Sequence, residues 1–170
     1  MTQVTNSIRI HNANIFHGRF RNFSGRPTAF DRIEDGKEVY TRTFCVEVKD
    51  NDPDYEYGDG PLYISELVND GWNVKTLRPK EEGDDEPINY IQVKVQFGRI
   101  PPKIRQRSSN GEIDLDEETV DSLDWADITD AKLIIRPYNY APGKVSAYLK
   151  TLFVTISDKT YKDDDFDSFD

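Results

Sequence analysis

Residues 89–97 read NYIQVKVQF. Ile91, Val93, Val95 and Phe97 fall on one side of a two-residue repeat, and Gln92, Lys94 and Gln96 fall on the other. This is the pattern of a β-strand with one face in a core and one toward water, because successive side chains of a strand point to opposite faces. A helix would space its apolar residues three and four apart.

The same alternation recurs outward from this stretch. Residues 131–138 (AKLIIRPY) and 145–156 (VSAYLKTLFVTI) predict two strands joined by a turn from Asn139 to Gly143. In residues 38–48 (EVYTRTFCVEV), Tyr40, Phe44, Val46 and Val48 alternate with Thr41, Thr43 and Glu47. Residues 72–78 predict another strand. After Pro101 and Pro102, residues 103–107 (KIRQR) predict a basic edge strand. Residues 8–23 predict a strand running into a basic, aromatic continuation, with Ile8, Ile10 and Phe16 opposite Arg19 and Arg21. Two short helices are expected in the connections. One opens at Pro61 and ends before Gly71, with Ile64, Leu67 and Val68 on its apolar face. The other covers residues 114–124, with Asp114 or Asp116 as its N-cap. Residues 24–37, 50–60 and 79–88 are Gly-, Pro- and acid-bearing loops. Five or more strands with long polar loops point to a mainly β fold, a small closed or partly open barrel. Trp72 and Trp125 are expected in its core.

A chain of 170 residues suits one such domain, long enough to bury a core without staples. Its single cysteine, Cys45, rules out an intrachain disulfide, and two histidines, His11 and His17, form no zinc pattern. Residues 1–7 lack the charged-then-apolar profile of a signal peptide. No apolar run approaches the roughly 20 residues of a membrane helix. A cytoplasmic location is expected.

The net charge of −10 argues at first against nucleic acid as a partner. The charge is blocked, however. Residues 91–110 carry five Lys/Arg and no acid, and residues 111–130 carry nine acids and no base. Residues 131–162 carry six bases and one acid, and residues 163–170 carry five aspartates and no base. Segregation of this kind can place positive potential on one face of an acidic molecule.

Basic and aromatic residues gather in three groups on and beside the predicted strands. They are Arg19, Phe20, Arg21, Phe23 and Arg26; Lys94, Arg99, Lys103, Arg105 and Arg107; and Arg136, Tyr138, Tyr140, Lys144, Tyr148 and Lys150. Single-stranded DNA calls for this mixture, since cations follow the phosphates while ring faces stack on bases without reading them. The plain alternative is that Phe20, Phe23 and Tyr148 fill the core and the arginines are solvated. Tyr138, Tyr140 and Phe23 are the first choices for stacking.

The terminus, DDDFDSFD, follows a Ser/Lys/Thr-bearing linker from Ser157. It is too acidic and too poor in apolar area to fold alone, so 158–170 is expected to be a disordered tail on a domain of residues 1–157. The plain reading is a solubilising tail. Phe166 and Phe169 give a partner pocket something to hold, while Asp163, Asp164, Asp165, Asp167 and Asp170 steer toward a basic surface. As a polyanion the tail can also occupy its own protein's basic groove when DNA is absent.

Enzyme chemistry finds little footing. The chain has no P-loop, no G-x-S-x-G and no H-E-x-x-H. The loop Asp50-Asn51-Asp52-Pro53-Asp54 begins like a calcium loop, but Tyr55 stands at the sharp-turn glycine position and Pro61 at that of the bidentate glutamate. No metal and no cofactor is assigned.

Four stretches carry a family resemblance: GRFRNFSGRPTAFD (18–31), DGWNVKTLRPKEEGDDEPINYIQVKVQFGRIPPKI (70–104), LDEETVDSLDWADI (115–128) and LIIRPYNYAPGKVSAYLKTLFVTI (133–156). They are similar to single-stranded DNA-binding proteins of tailed bacteriophages, over about residues 8–156. The terminus resembles the acidic, aromatic-ended tails of phage and bacterial single-strand binders, except that Asp170 follows Phe169. The resemblance implies an OB-like five-stranded barrel. It also implies sequence-tolerant binding of single-stranded DNA in phage replication or recombination, and tail contacts to replication or recombination proteins in the cytoplasm of the infected bacterial host. The rival expectations are an acidic protein that mimics DNA and a structural interaction protein of a phage.

Overall fold

The structure is a computed structural model that describes residues 3–25, 32–34, 37–39, 42–78, 87–98 and 100–157. Among these residues the chain is mainly β, with thirteen strands, one α-helix and two 3-10 turns. The first half holds β1 (Ile8–Ile10), β2 (Arg21–Asn22), β3 (Arg32–Glu34), β4 (Lys37–Val39), β5 (Arg42–Glu47), β6 (Tyr55–Tyr57) and β7 (Gly60–Pro61). Helix α1 (Ile64–Asp70) follows, then β8 (Val74–Leu77), β9 (Ile88–Val95), β10 (Lys103–Ser108) and β11 (Gly111–Leu115). The long pair β12 (Ile128–Ala141) and β13 (Lys144–Ile156) closes the described chain.

Eleven strands form one sheet, while β3 and β4 form a separate ribbon. The sheet runs β2-β5-β9-β13-β12-β1-β6-β7, with β8 added to β9 and the ribbon β10-β11 added to β13. It is open and has eleven strands, so the expected five-stranded barrel is corrected on both counts. Extra strands come from segments not read as strands, β6 and β7 from residues 50–61 and β11 from residues 111–115, and from the division of residues 8–23, which gives β1 and β2.

Strand β13 is the spine. One edge pairs antiparallel with β12 from Ile156 back to Lys144. The other edge is shared: β9 runs parallel along Ala147 and Tyr148, and β10 runs parallel along Thr151 to Thr155. Strands β9 and β10 therefore lie end to end beside β13, and the basic segment 103–107 is an inner strand between β13 and β11, not an edge. Inward residues alternate as the pleat requires: Val145, Ala147 and Leu149 are buried, then Leu152 and Val154. The change of parity falls where the register slips, since Ile135 faces Leu149 but Ile134 faces Thr151. Lys150 is the extra residue of this bulge. Ile8, Ile10, Phe44, Val46, Val93 and Leu133 belong with these residues to one apolar core.

Local chemistry explains the remaining departures. Residues 8–23 do not run as one strand: β1 ends at Ile10, Ile15 makes an isolated bridge to Val46, and a 3-10 turn at Gly18–Phe20, where Gly18 takes a positive φ of 64°, precedes β2. Helix α1 begins at Ile64, not Pro61, because the Asp50 carboxylate accepts the Ile64 N–H at 2.6 Å. Asp52 in turn accepts the N–H of Asp54 at 2.9 Å, so two carboxylates of the calcium-like loop serve a helix end and a turn. Val68 of the expected apolar helix face is exposed. Residues 114–124 are not a helix. They give the end of β11 and a 3-10 turn at Val120–Asp124, and Asp116 accepts the N–H groups of Glu118 and Thr119 before it.

Gly71 ends α1 with φ 105°, its N–H reaching the Leu67 and Val68 carbonyls. A Cβ there would lie 2.3 Å from the Gly143 carbonyl oxygen in the β12–β13 turn. Its own carbonyl accepts the Val145 N–H at 2.9 Å, and Trp72 bridges to Val145. Gly71→Ala is therefore expected to destabilise the fold by about 2 kcal/mol or more, combining backbone strain with a backbone clash. Urea unfolding checks this. A change below about 0.5 kcal/mol would mean the two segments part without cost.

Candidate nucleic-acid interface

Outward-facing residues of β12, β13, β9 and β10 build one continuous face, opposite the core. Register makes it regular. Arg136 of β12 stands opposite Tyr148 of β13, which stands opposite Lys94 of β9, which stands opposite Thr43 of β5. The Arg136 guanidinium carbon lies 5.2 Å from the Tyr148 ring centre and the Lys94 ammonium 5.8 Å from it, so the ring is held between two cations. Tyr138 leans on Tyr148 with ring centres 5.5 Å apart. Tyr138 and Tyr140, two residues apart on one side of β12, are 51% and 55% exposed. Aromatic rings left open to water beside cations are unusual, since rings normally bury their faces.

Further along β13 the pattern repeats. Phe153 stands between Lys132 of β12 and Arg105 of β10. Lys103 and Arg105 approach its ring at 6.0 and 5.9 Å, and the ring is 40% exposed. Phe153 and Lys132 were missed in the sequence. The only signal was the pair of apolar alternations of opposite parity within residues 145–156, which turns Phe153 outward.

Carboxylates of the neighbouring strand temper this second patch. Arg105 donates to Asp114 at 3.0 Å, and Arg107 donates to Glu112 at 2.9 and 2.6 Å. The Asp114 hydrogen bond and charge raise the Arg105 guanidinium pKa above its ordinary value. Exposed ion pairs of this kind are weak, so a phosphate can displace the carboxylate, but it must also overcome its repulsion. Neutralising both acids, Glu112→Gln with Asp114→Asn, is expected to tighten binding of single-stranded DNA at low salt. It should also steepen the log–log salt dependence by up to ~1.4, about 0.7 for each phosphate gained by a freed arginine. An unchanged slope would remove Arg105 and Arg107 from the DNA path.

The remaining expected residues divide. Lys144 is exposed at the β12–β13 turn and Lys150 is exposed at the bulge. Arg19 is exposed, 4.8 Å over the Phe20 ring. Phe20 packs edge-on to Tyr90 at 5.8 Å, and Tyr90 alternates onto the same side of β9 as Lys94, so this pair borders the face. Arg21 and Phe23 do not belong to it. Phe23 is fully buried and stacks on Phe44 at 5.0 Å. Arg21 is 2% exposed and donates to the carbonyls of Phe16, Ile15, Leu123 and Ala126. Burial works against its charge, and Asp124 and Asp127 work for it. Arg26, Arg99 and the tail residues Asp163, Asp164, Asp165, Phe166, Asp167, Phe169 and Asp170 lie outside the described residues.

The two tryptophans also divide. Trp72 is buried as expected and its indole donates to the Tyr57 hydroxyl at 2.9 Å, yet it floors a cleft of about 420 Å³ below Tyr138, Tyr140 and Tyr148. Trp125 is 77% exposed, which corrects its assignment to the core. The turn that carries it is pinned from below by Arg21, whose contacts at the Leu123 and Ala126 carbonyls hold the backbone on either side.

Cations in register with open aromatic rings along a strand are the two elements by which single-strand binders hold phosphates and bases. The chain belongs to the family described as "Putative phage ssDNA-binding domain", whose model matches residues 1–167. None of the curated proteins and none of the solved structures matches it. Among the described residues no helix is long and apolar enough to cross a membrane.

Proposed function

We propose that this protein binds and protects single-stranded DNA without reading its overall sequence, during phage DNA replication or recombination in the cytoplasm of the infected host. The strand would run along the outer face of β13. The observation that carries this reading is the row Arg136–Tyr148–Lys94, in register across three strands, with Tyr138 and Tyr140 open beside it. Phosphates would follow Lys94, Arg136, Lys103 and Arg105, while bases stack on Tyr138, Tyr140 and Phe153. The winding of this open, eleven-stranded sheet would be OB-like without the closure or the strand count of the simple five-stranded barrel. Residues 158–170 act as an acidic aromatic tail that recruits replication or recombination proteins and competes with DNA for the basic face.

Titrations with labelled oligo-dT and with duplex DNA at two salt concentrations test this, comparing the whole chain with one ending at Lys162. Tight, salt-sensitive binding to the single strand, strengthened by removal of the tail, is the expected result. Failure of both chains to bind would remove the reading and return attention to protein partners of an acidic interaction protein.

A further inference from the structure

Strand β9 changes partner partway along one edge. Ile91 faces Val74 of β8, while Val93 faces Ala147 of β13. At the changeover the chain crosses from Trp72, bridged to Val145, to Val74. The fork leaves the cleft of about 420 Å³, which falls within the roughly 300–1,000 Å³ of small-ligand sites. Its walls differ from the rest of the face. Three tyrosine rings and Ser146 stand on the β12–β13 side, and β9 with the residue before β8 adds two amides, Gln92 and Asn73, beside Lys94.

These amides are available to a ligand. Among the described residues the Asn73 side chain makes no hydrogen bond, and Gln92 makes one at the 3.5 Å limit, through its nitrogen to Thr43. Each amide presents a donor beside an acceptor. That arrangement matches the edge of a nucleobase, as when Asn or Gln bonds a base through two contacts. A phosphate would instead call for cations inside the cleft, and the cleft's one cation is Lys94, beside the Tyr148 ring.

We propose that this cleft is a nucleobase pocket. One base of the bound strand is inserted against Tyr138, Tyr140 and Tyr148 and its hydrogen-bonding edge is read by Asn73 and Gln92. This rests on the function proposed above and adds to it: contact along β13 is sequence-tolerant, while one position of the footprint discriminates between bases. A base within a duplex cannot enter, because insertion requires it to leave the stack.

The test compares oligo-dT, oligo-dA and oligo-dC of equal length on the whole chain and on the Asn73→Ala, Gln92→Ala double variant. Both positions are exposed, and circular dichroism confirms that the variant folds. The native chain is expected to separate the tightest from the weakest homopolymer by about fivefold or more, the lower end for one amide–base pair. In the variant the three affinities converge. Equal affinities in the native chain would overturn the pocket. So would a preference that survives loss of both amides, since it would then arise from stacking. Absence of binding to every oligonucleotide would instead defeat the function on which the pocket rests.

Discussion

Replacing Tyr138 with alanine is expected to weaken binding of oligo-dT by about 5- to 150-fold, the equivalent of about 1–3 kcal/mol for one lost base stack. Tyr140→Ala should fall in the same range. The rings are half exposed and stand outside the core, so neither change should lower stability by more than about 0.5 kcal/mol. That separation makes the prediction sharp, because a loss of affinity cannot then be charged to unfolding. Tyr148 is less suitable for this purpose, since its ring also supports Arg136, Lys94 and Tyr138. Fluorescence anisotropy with labelled oligo-dT, with urea unfolding of the same samples, provides the measurement. Native-like affinity in both single variants and in the double variant would move the bases off this face. A loss that vanishes at high salt would indicate a role in placing cations, because stacking persists when phosphate contacts are screened.

Replacing Arg21 with methionine is expected to cost about 3–5 kcal/mol of stability, a large part of what an ordinary domain possesses. The side chain of Arg21 ties the segment Ile15–Phe16 to the turn at Leu123 and Ala126 through four carbonyl groups, the closest at 2.8 Å. Methionine fills much of the volume but leaves those carbonyls without their donor, and a buried polar group without a partner is costly. Asp124 would also lose a nearby positive charge. Its carboxylate accepts the N–H groups of Phe23 and Ser24, so strand β2 and the turn would loosen together. Urea unfolding measures the loss. A cost below about 1 kcal/mol would show that water replaces the guanidinium. Folded Arg21→Met protein at low temperature should still bind oligo-dT, because the side chain lies beneath the surface. Lost affinity in a fully folded sample would return Arg21 to the interface.

These two residues mark how far the sequence could be read. Tyr138 and Tyr140 were recognisable as candidates because they continue an alternation that already separates Leu133 and Ile135 from Ile134 and Arg136. Arg21 looked like an outward, DNA-facing cation by the same logic, two residues from Arg19 and opposite Phe16. The alternation ends before Gly18, where Ile15 and Phe16 are both buried, and the turn at Gly18–Phe20 leads into an inward Arg21. Trp125 failed in the reverse direction. A tryptophan among acids was assigned to the core, whereas a turn held from below presents it to water.

The strands β9, β12 and β13, the inner face of β9 and the separation of charge were legible because each follows from neighbours in the chain, whereas the change of face in β13 at Lys150 was not. A Cβ alternates from side to side along any extended backbone, so local order alone states which residues share a face. The open sheet, the parallel placement of β9 and β10 along β13, and the fork beneath the tyrosines were not legible, because pairing joins segments far apart in sequence. The bond from Arg21 to the Leu123 carbonyl spans 102 positions. Nothing local to either residue distinguishes that partner from water; the folded chain does so by excluding water from the space between them.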